Sequence, residues 1–225
     1  MIAGAIFDMD GTLLDSMQVW DQLSQRYLDK FGVRITATDY AALEACTQYQ
    51  GAQYFCDRYP EITETPAEVA RGMDALICAR YEALARPREG IYELLDALRA
   101  RGVRMAVATL TDRHHAEKAL RDRGMLEFFD FLLTIDDVGV GKRDPKIYQD
   151  AAKRLQLSPE RCLVFEDAPY AAQTAKQAGF PVCGVCEDRY AAGRAQLRAA
   201  SDWLVSHSFS EVQDSILKKT QKTLA

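Results

Sequence analysis

The chain has 225 residues, 48% of them hydrophobic and 27% charged, with a formal net charge of −5. That supplies a sizeable core, in one large domain or a domain carrying an insert. The acidic balance argues against broad nucleic-acid binding, which favours a basic face, and no apolar run approaches the roughly 20 residues that span a bilayer. The N-terminal apolar stretch has no basic lead-in and stops at Asp8, too early for a signal peptide. The expected compartment is therefore the cytoplasm, with the six cysteines reduced.

The chain opens MIAGAIFDMDGTLLDS. Ile2–Phe7 reads as a buried strand, and it runs into two carboxylates one residue apart, Asp8 and Asp10, followed by Gly11 and Thr12. Buried like charges repel unless a cation compensates them. A plain Asp-Gly turn is one reading; a metal-assisted catalytic site is the other.

From about residue 16 to 86 the pattern is helical throughout. Trp20, Leu23, Tyr27 and Phe31 share one helical face, and further helical segments are expected over Tyr40–Tyr59 and Pro66–Leu84. That block is too long for a loop and reads as an inserted helical subdomain. Residues 1–15 and 87–225 are expected to form the other domain.

After the block, strands and helices alternate. Ile91, Leu94, Leu95 and Leu98 predict a helix that stops at Gly102. Strands are predicted at Val103–Ala108, Phe131–Thr134, Cys162–Phe165 and Val182–Cys186, with a weaker one at Trp203–Val205. Tyr148, Ala151, Ala152 and Leu155 form another apolar stripe, and Ala168–Ala178 is a helix closed by Gly179. The alternation predicts an α/β fold, a Rossmann-like parallel sheet with helices on both faces. Cys183 and Cys186 lie three apart on one predicted strand, so they point to opposite faces and share neither a disulfide nor a metal. The SILKKTQKTLA tail reads as a solvated or frayed helix end.

In an open parallel sheet, ligands bind beyond the carboxyl ends of the strands. There the sequence sets DMDGT after the first strand, Thr109 after the second, a loop reaching Lys142 after the third, and Glu166-Asp167 after the fourth. Two acidic pairs, a hydroxyl and a lysine converge on one edge. That set resembles the haloacid dehalogenase-like hydrolase superfamily over nearly the full length. DMDGT, Thr109, Lys142 and FEDA stand for its four motifs. GKRDPKIY is similar to its Lys-Pro-x-Pro segment, with Arg143 in place of the first proline, and the helical insert is similar to its small α-helical cap.

The resemblance implies roles for these residues. Asp8 is the nucleophile that forms an aspartyl-phosphate. Asp10 is general acid for the leaving alcohol and then base for the water, and its backbone carbonyl ligates the metal. Asp167 and Glu166 complete a site for Mg²⁺ with Asp8; Glu166 could instead orient Lys142 or a metal-bound water. Thr109 donates to a phosphate oxygen, Lys142 neutralises nucleophile and phosphate, and Gly11 with the turn's N–H groups cradles the phosphate. Lys146 is the rival lysine; Pro145 and Ile147-Tyr148 set the register in favour of Lys142. Ala168 and Ala171 replace a serine and a glycine common in the family after the fourth motif.

Asp10 separates phosphoryl transfer from dehalogenation, which needs no acid there. The expected activity is a Mg²⁺-dependent phosphatase acting on a small phosphorylated metabolite, as a monomer, with neither nucleic acid nor membrane as partner. A phosphosugar mutase resembling β-phosphoglucomutase is the alternative. Its cap histidine corresponds to Trp20, and its basic cap segment to EACTQYQGAQYF, which has no Lys or Arg. A phosphonoacetaldehyde hydrolase needs a cap lysine, for which the first cap helix offers only Lys30, near its end. A non-catalytic phosphometabolite-binding protein is the remaining class; the intact Asp8, Asp10, Lys142, Asp167 set speaks for an enzyme. Trp20, Gln48 and Tyr49 are candidate specificity residues, with core packing the plain alternative for Trp20 and surface exposure for the other two. His114 and His115 open a helix after the Thr109 loop and read as a solvated helix start.

Overall fold

The structure is a computed structural model that describes residues 1–20, 22–43 and 48–220. The chain divides into two compact units, one of Met1–Asp15 with Arg86–Ala225 and one of Ser16–Ala85. In chain order the elements are β1 (Gly4–Phe7), β2 (Leu14–Asp15), α1 (Met17–Trp20), α2 (Leu23–Leu28), α3 (Ala37–Leu43), α4 (Gln48–Arg58) and α5 (Pro66–Leu84). There follow β3 (Arg86–Pro87), α6 (Ile91–Ala100), β4 (Arg104–Ala108), α7 (Arg113–Arg121), β5 (Phe131–Leu133), α8 (Ile135–Val138), α9 (Lys146–Arg154) and β6 (Cys162–Glu166). The chain then forms α10 (Pro169–Gln177), β7 (Val182–Val185), α11 (Arg194–Ala200), β8 (Trp203–Val205) and α12 (Ser210–Leu217).

The α/β unit carries a six-stranded parallel sheet in the order β5-β4-β1-β6-β7-β8. The chain builds outward from β1 to β5 and then returns to the other side of β1. The order therefore reverses between β1 and β6, where an open α/β sheet leaves its ligand crevice. Side chains alternate between faces as a strand requires. Ile6, Ala106 and Val164 join a core with Ile147, Tyr148, Ala151 and Ala152 of α9. On the opposite face Phe7 and its register partner Phe165 stack with ring centroids 4.2 Å apart, and Phe209 packs edge-on against Phe165. Burying each of these rings contributes about 1.5–3 kcal/mol. The middle of the sheet, which carries the carboxylates at its edge, is thus anchored from both faces.

Two sequence expectations change in detail. The helical face of Trp20, Leu23, Tyr27 and Phe31 does not lie on one continuous helix. Gln22 has φ +54, a left-handed conformation that separates α1 from α2, and Asp29–Phe31 tightens into a 3₁₀ turn. The helical Tyr40–Tyr59 expectation holds in α3 and α4, with residues 44–47 outside the described residues. Arg86 pairs antiparallel with Asp15 in a short two-stranded ribbon, β2–β3, and so falls with the α/β unit. The described part of the tail, up to Thr220, also differs. Ile216 and Leu217 are buried, α12 packs on α6, and Thr220 bridges to Ile2, while residues 221–225 lie outside the described residues.

In the helical unit, α5 begins at a capping box. Thr65 accepts from the Glu68 N–H, Glu68 accepts from the Thr65 N–H at 2.8 Å, and Pro66 stands at the first helical position. Arg80 ties α5 to α1 through the Val19 carbonyl at 2.7 Å. A Cβ on Gly72 would overlap the Tyr27 ring, so glycine there lets α2 and α5 approach closely. None of the five described cysteines is in a disulfide, and Cys46 lies outside the described residues. No helix among the described residues is long and apolar enough to cross a membrane.

Candidate active site

β1 delivers Asp8 to the carboxyl edge, where the Asp8 N–H still bonds the Phe165 carbonyl of β6 at 3.0 Å. The chain then turns tightly. Leu14 N–H donates to the Met9 carbonyl at 2.9 Å, and Gly11 N–H to the Leu14 carbonyl at 2.8 Å. Gly11 has φ +89, and a Cβ there would lie 2.7 Å from Asp167 Cγ. Only glycine fits that close, left-handed position. β6 ends with Glu166 and Asp167 beside it, both buried.

Lys142 lies in the loop between α8 and α9, and its side chain is 3% exposed. Its ammonium donates to Asp8 Oδ1 and, at 2.5 Å, to Glu166 Oε1. Lys146 is exposed and pairs one turn along with Asp150. β4, next to β1, carries Thr109 at its end; the Thr109 N–H bonds the Leu133 carbonyl at 3.0 Å, and its hydroxyl accepts from the Thr111 N–H at 3.1 Å. Thr111 in turn donates its hydroxyl to Asp10 Oδ2 at 2.6 Å. Asp8, Asp10, Gly11, Thr109, Lys142, Glu166 and Asp167 thus gather at the β4-β1-β6 edge.

The electrostatics are unbalanced. Three buried carboxylates, Asp8, Glu166 and Asp167, have carboxylate oxygens within 4.8 Å of one another, and the Lys142 ammonium pairs with two of them, Asp8 and Glu166. Burial raises Asp8 to about 7, against the opposing pull of Lys142 and with help from the Glu166 charge. Burial also pushes Asp167 well above the usual range, reinforced by Asp8 and Glu166. Burial works to lower Lys142, yet Asp8 and Glu166 outweigh it and hold the ammonium protonated. Asp8 Oδ2, Glu166 Oε2 and Asp167 Oδ2 are buried with no hydrogen-bond partner. Such orphaned oxygens are costly. A hard divalent cation answers both the charge excess and the missing partners, so the residues present fit a metal of that class. Asp10 stands apart from this trio, its side chain engaged by Thr111.

Three contacts escape the sequence reading. Thr111 follows Thr109 by two residues in the TLTD loop, the one sequence hint of its part. Tyr148 belongs to an apolar stripe, yet its hydroxyl donates to Glu166 Oε1 at 2.6 Å. Arg88, just beyond β3, donates to the Gly11 carbonyl at 3.2 Å and pairs with Glu187. Of the candidate specificity residues in the helical unit, Trp20 is half-buried and packs edge-on against Tyr81 at 6.0 Å, and Tyr49 is exposed. The side chain of Gln48 lies outside the described residues. His114 is exposed, whereas His115 is buried against the expectation of a solvated helix start, because α7 turns that face inward with Ala116, Ala119 and Leu120.

Residues 2–179 match the hydrolase family described as haloacid dehalogenase-like hydrolase. The chain is 34% identical over 195 residues to validoxylamine A 7'-phosphate phosphatase of Streptomyces hygroscopicus subsp. limoneus, covering 80% of this chain and 84% of that one. It is 27% identical over 174 residues to the phosphorylated carbohydrates phosphatase of Thermotoga maritima, covering 77% and 80%. Among solved structures, CbbY from Rhodobacter sphaeroides in complex with phosphate superposes with a TM-score of 0.75 at 25% identity, over 94% of this chain and 96% of that one.

Proposed function

This chain belongs to the haloacid dehalogenase-like hydrolases, and on that premise we propose that it is a Mg²⁺-dependent phosphatase that hydrolyses a small phosphorylated metabolite, a sugar-like phosphomonoester, through Asp8. The observation that carries this reading is the buried trio of orphaned carboxylate oxygens around one paired lysine. The two phosphatase relatives point to the substrate class.

In this reading an Asp8 carboxylate oxygen attacks phosphorus, the bond to the ester oxygen breaks, and Asp10 as the acid gives its proton to the leaving alkoxide. Thr111 holds the Asp10 carboxyl in place for that transfer. Asp10, now a carboxylate, takes a proton from water as that water attacks the aspartyl-phosphate, which releases phosphate and restores Asp8. Lys142 offsets charge on Asp8 and on the transferring group, and Thr109 donates to a phosphate oxygen. Asp8, Glu166 and Asp167, with the Asp10 backbone carbonyl, would hold Mg²⁺. When bound, that cation keeps Asp8 ionised and neutralises phosphoryl charge. The helical unit is read as the cap that selects the substrate, with Trp20, Gln48 and Tyr49 as the positions whose replacement reorders it.

Phosphate release from a panel of sugar and polyol monophosphates, with Mg²⁺ and with chelator, tests the proposal. Mg²⁺-dependent release is expected. Conversion of β-glucose 1-phosphate to glucose 6-phosphate without free phosphate would establish a mutase instead.

A further inference from the structure

Tyr148 is wholly buried and sits on α9 with its ring in the core, 6.2 Å from the ring of Phe180. A phenylalanine would fill that space equally well. The hydroxyl is the part that the core does not explain, and it donates to Glu166 Oε1 at 2.6 Å. The same oxygen receives the Lys142 ammonium at 2.5 Å. Oε1 is therefore saturated by two donors, and Glu166 Oε2 is left as the oxygen without a partner, in company with Asp8 Oδ2 and Asp167 Oδ2.

A buried carboxylate with one donor can swing to present either oxygen. With two donors from different elements fixed on Oε1, that rotation is blocked. We propose that Tyr148 is a positioning residue for the cation site: its hydroxyl pins Glu166 so that Oε1 serves Lys142 and Oε2 faces the cation. This rests on the cation reading above and adds a residue to it. Groups that orient a metal ligand typically change metal affinity or activity about 10–100-fold when removed.

The test is calorimetric titration of Mg²⁺ alone into the chelator-treated full chain. Tyr148→Phe removes one oxygen and adds no atom. It is expected to bind Mg²⁺ about tenfold more weakly than the wild type, with kcat reduced at subsaturating Mg²⁺ and recovered in excess Mg²⁺, at nearly unchanged substrate KM. Ile147→Val, a neighbouring core truncation on α9, is expected to lower thermal stability without moving Mg²⁺ affinity. In a Glu166→Gln background the Tyr148→Phe step should change Mg²⁺ affinity less than twofold, since the hydroxyl acts through that carboxylate. Equal Mg²⁺ affinity in Tyr148→Phe and wild type overturns the inference and leaves Tyr148 as core. A wild type that binds no Mg²⁺ overturns this inference together with the cation reading. A wild type that binds Mg²⁺ tightly but hydrolyses no ester contradicts only the proposed reaction, and the Tyr148→Phe affinity shift still decides the inference.

Discussion

Asp39 in the helical unit and Asp8 in the α/β unit are both buried carboxylates, and their surroundings differ in kind. Asp39 accepts from the Thr36 N–H and hydroxyl, both at 2.7 Å, from Tyr54 at 2.7 Å and from Tyr59 at 2.6 Å. Burial works to raise it, but hydrogen bonds from Tyr59, Thr36 and Tyr54 win and hold it far below the usual carboxylate range. Asp8 has one donor, two acidic neighbours and an orphaned oxygen, and it is raised. The first arrangement is complete in itself and ties α3 to α4. The second is incomplete within the chain. A fold that leaves several buried oxygens unsatisfied at one sheet edge is organised around something it must bind.

Breaking the incomplete centre should cost most. Lys142→Met removes the one ammonium among three carboxylates. In chelator it should lose about 3–5 kcal/mol of stability by denaturant titration, and excess Mg²⁺ should restore part of that loss. Asp39→Asn keeps the shape but faces hydroxyl donors with an amide. A loss of about 2 kcal/mol is expected, read as a shifted denaturation midpoint. The pH dependence of the two centres has opposite sign. Asp39 is lowered from its usual 3.8, so its contribution is complete above about pH 4 and drains away as pH falls. Asp8 is raised from 3.8 to about 7, so in chelator its contribution is complete below about pH 4 and is lost as pH rises through 7. Thermal melts from pH 3 to 8, with chelator and with Mg²⁺, should show both limbs, the upper one flattened by Mg²⁺. Lys146→Ala, which breaks an exposed pair with Asp150, should change stability by no more than about 0.5 kcal/mol and leave turnover intact.

The strands and the sheet edge were legible because burial writes itself into sequence as apolar runs that end on polar residues. Five predicted strands recur within one or two residues, and the weak Trp203–Val205 pattern is also a strand. What escaped depends on contacts between distant residues. The β2–β3 ribbon joins Asp15 to Arg86 across seventy intervening residues, and two-residue strands carry no period. The left-handed Gln22 interrupts an intact apolar stripe, since the stripe records which side is buried and not whether the backbone is continuous. Tyr148 looked like core because its ring is core; only its hydroxyl belongs to the acidic edge. Thr111 likewise carries no local signal beyond its loop, because its partner Asp10 lies a hundred residues away.

Phosphate release by Asp8→Asn decides whether Asp8 is the nucleophile. Turnover is expected to fall at least about 10⁴-fold with Mg²⁺ present, in a protein whose thermal midpoint in chelator is unchanged or higher because one crowded charge is gone. Turnover within about tenfold of the wild type would contradict Asp8 as the nucleophile.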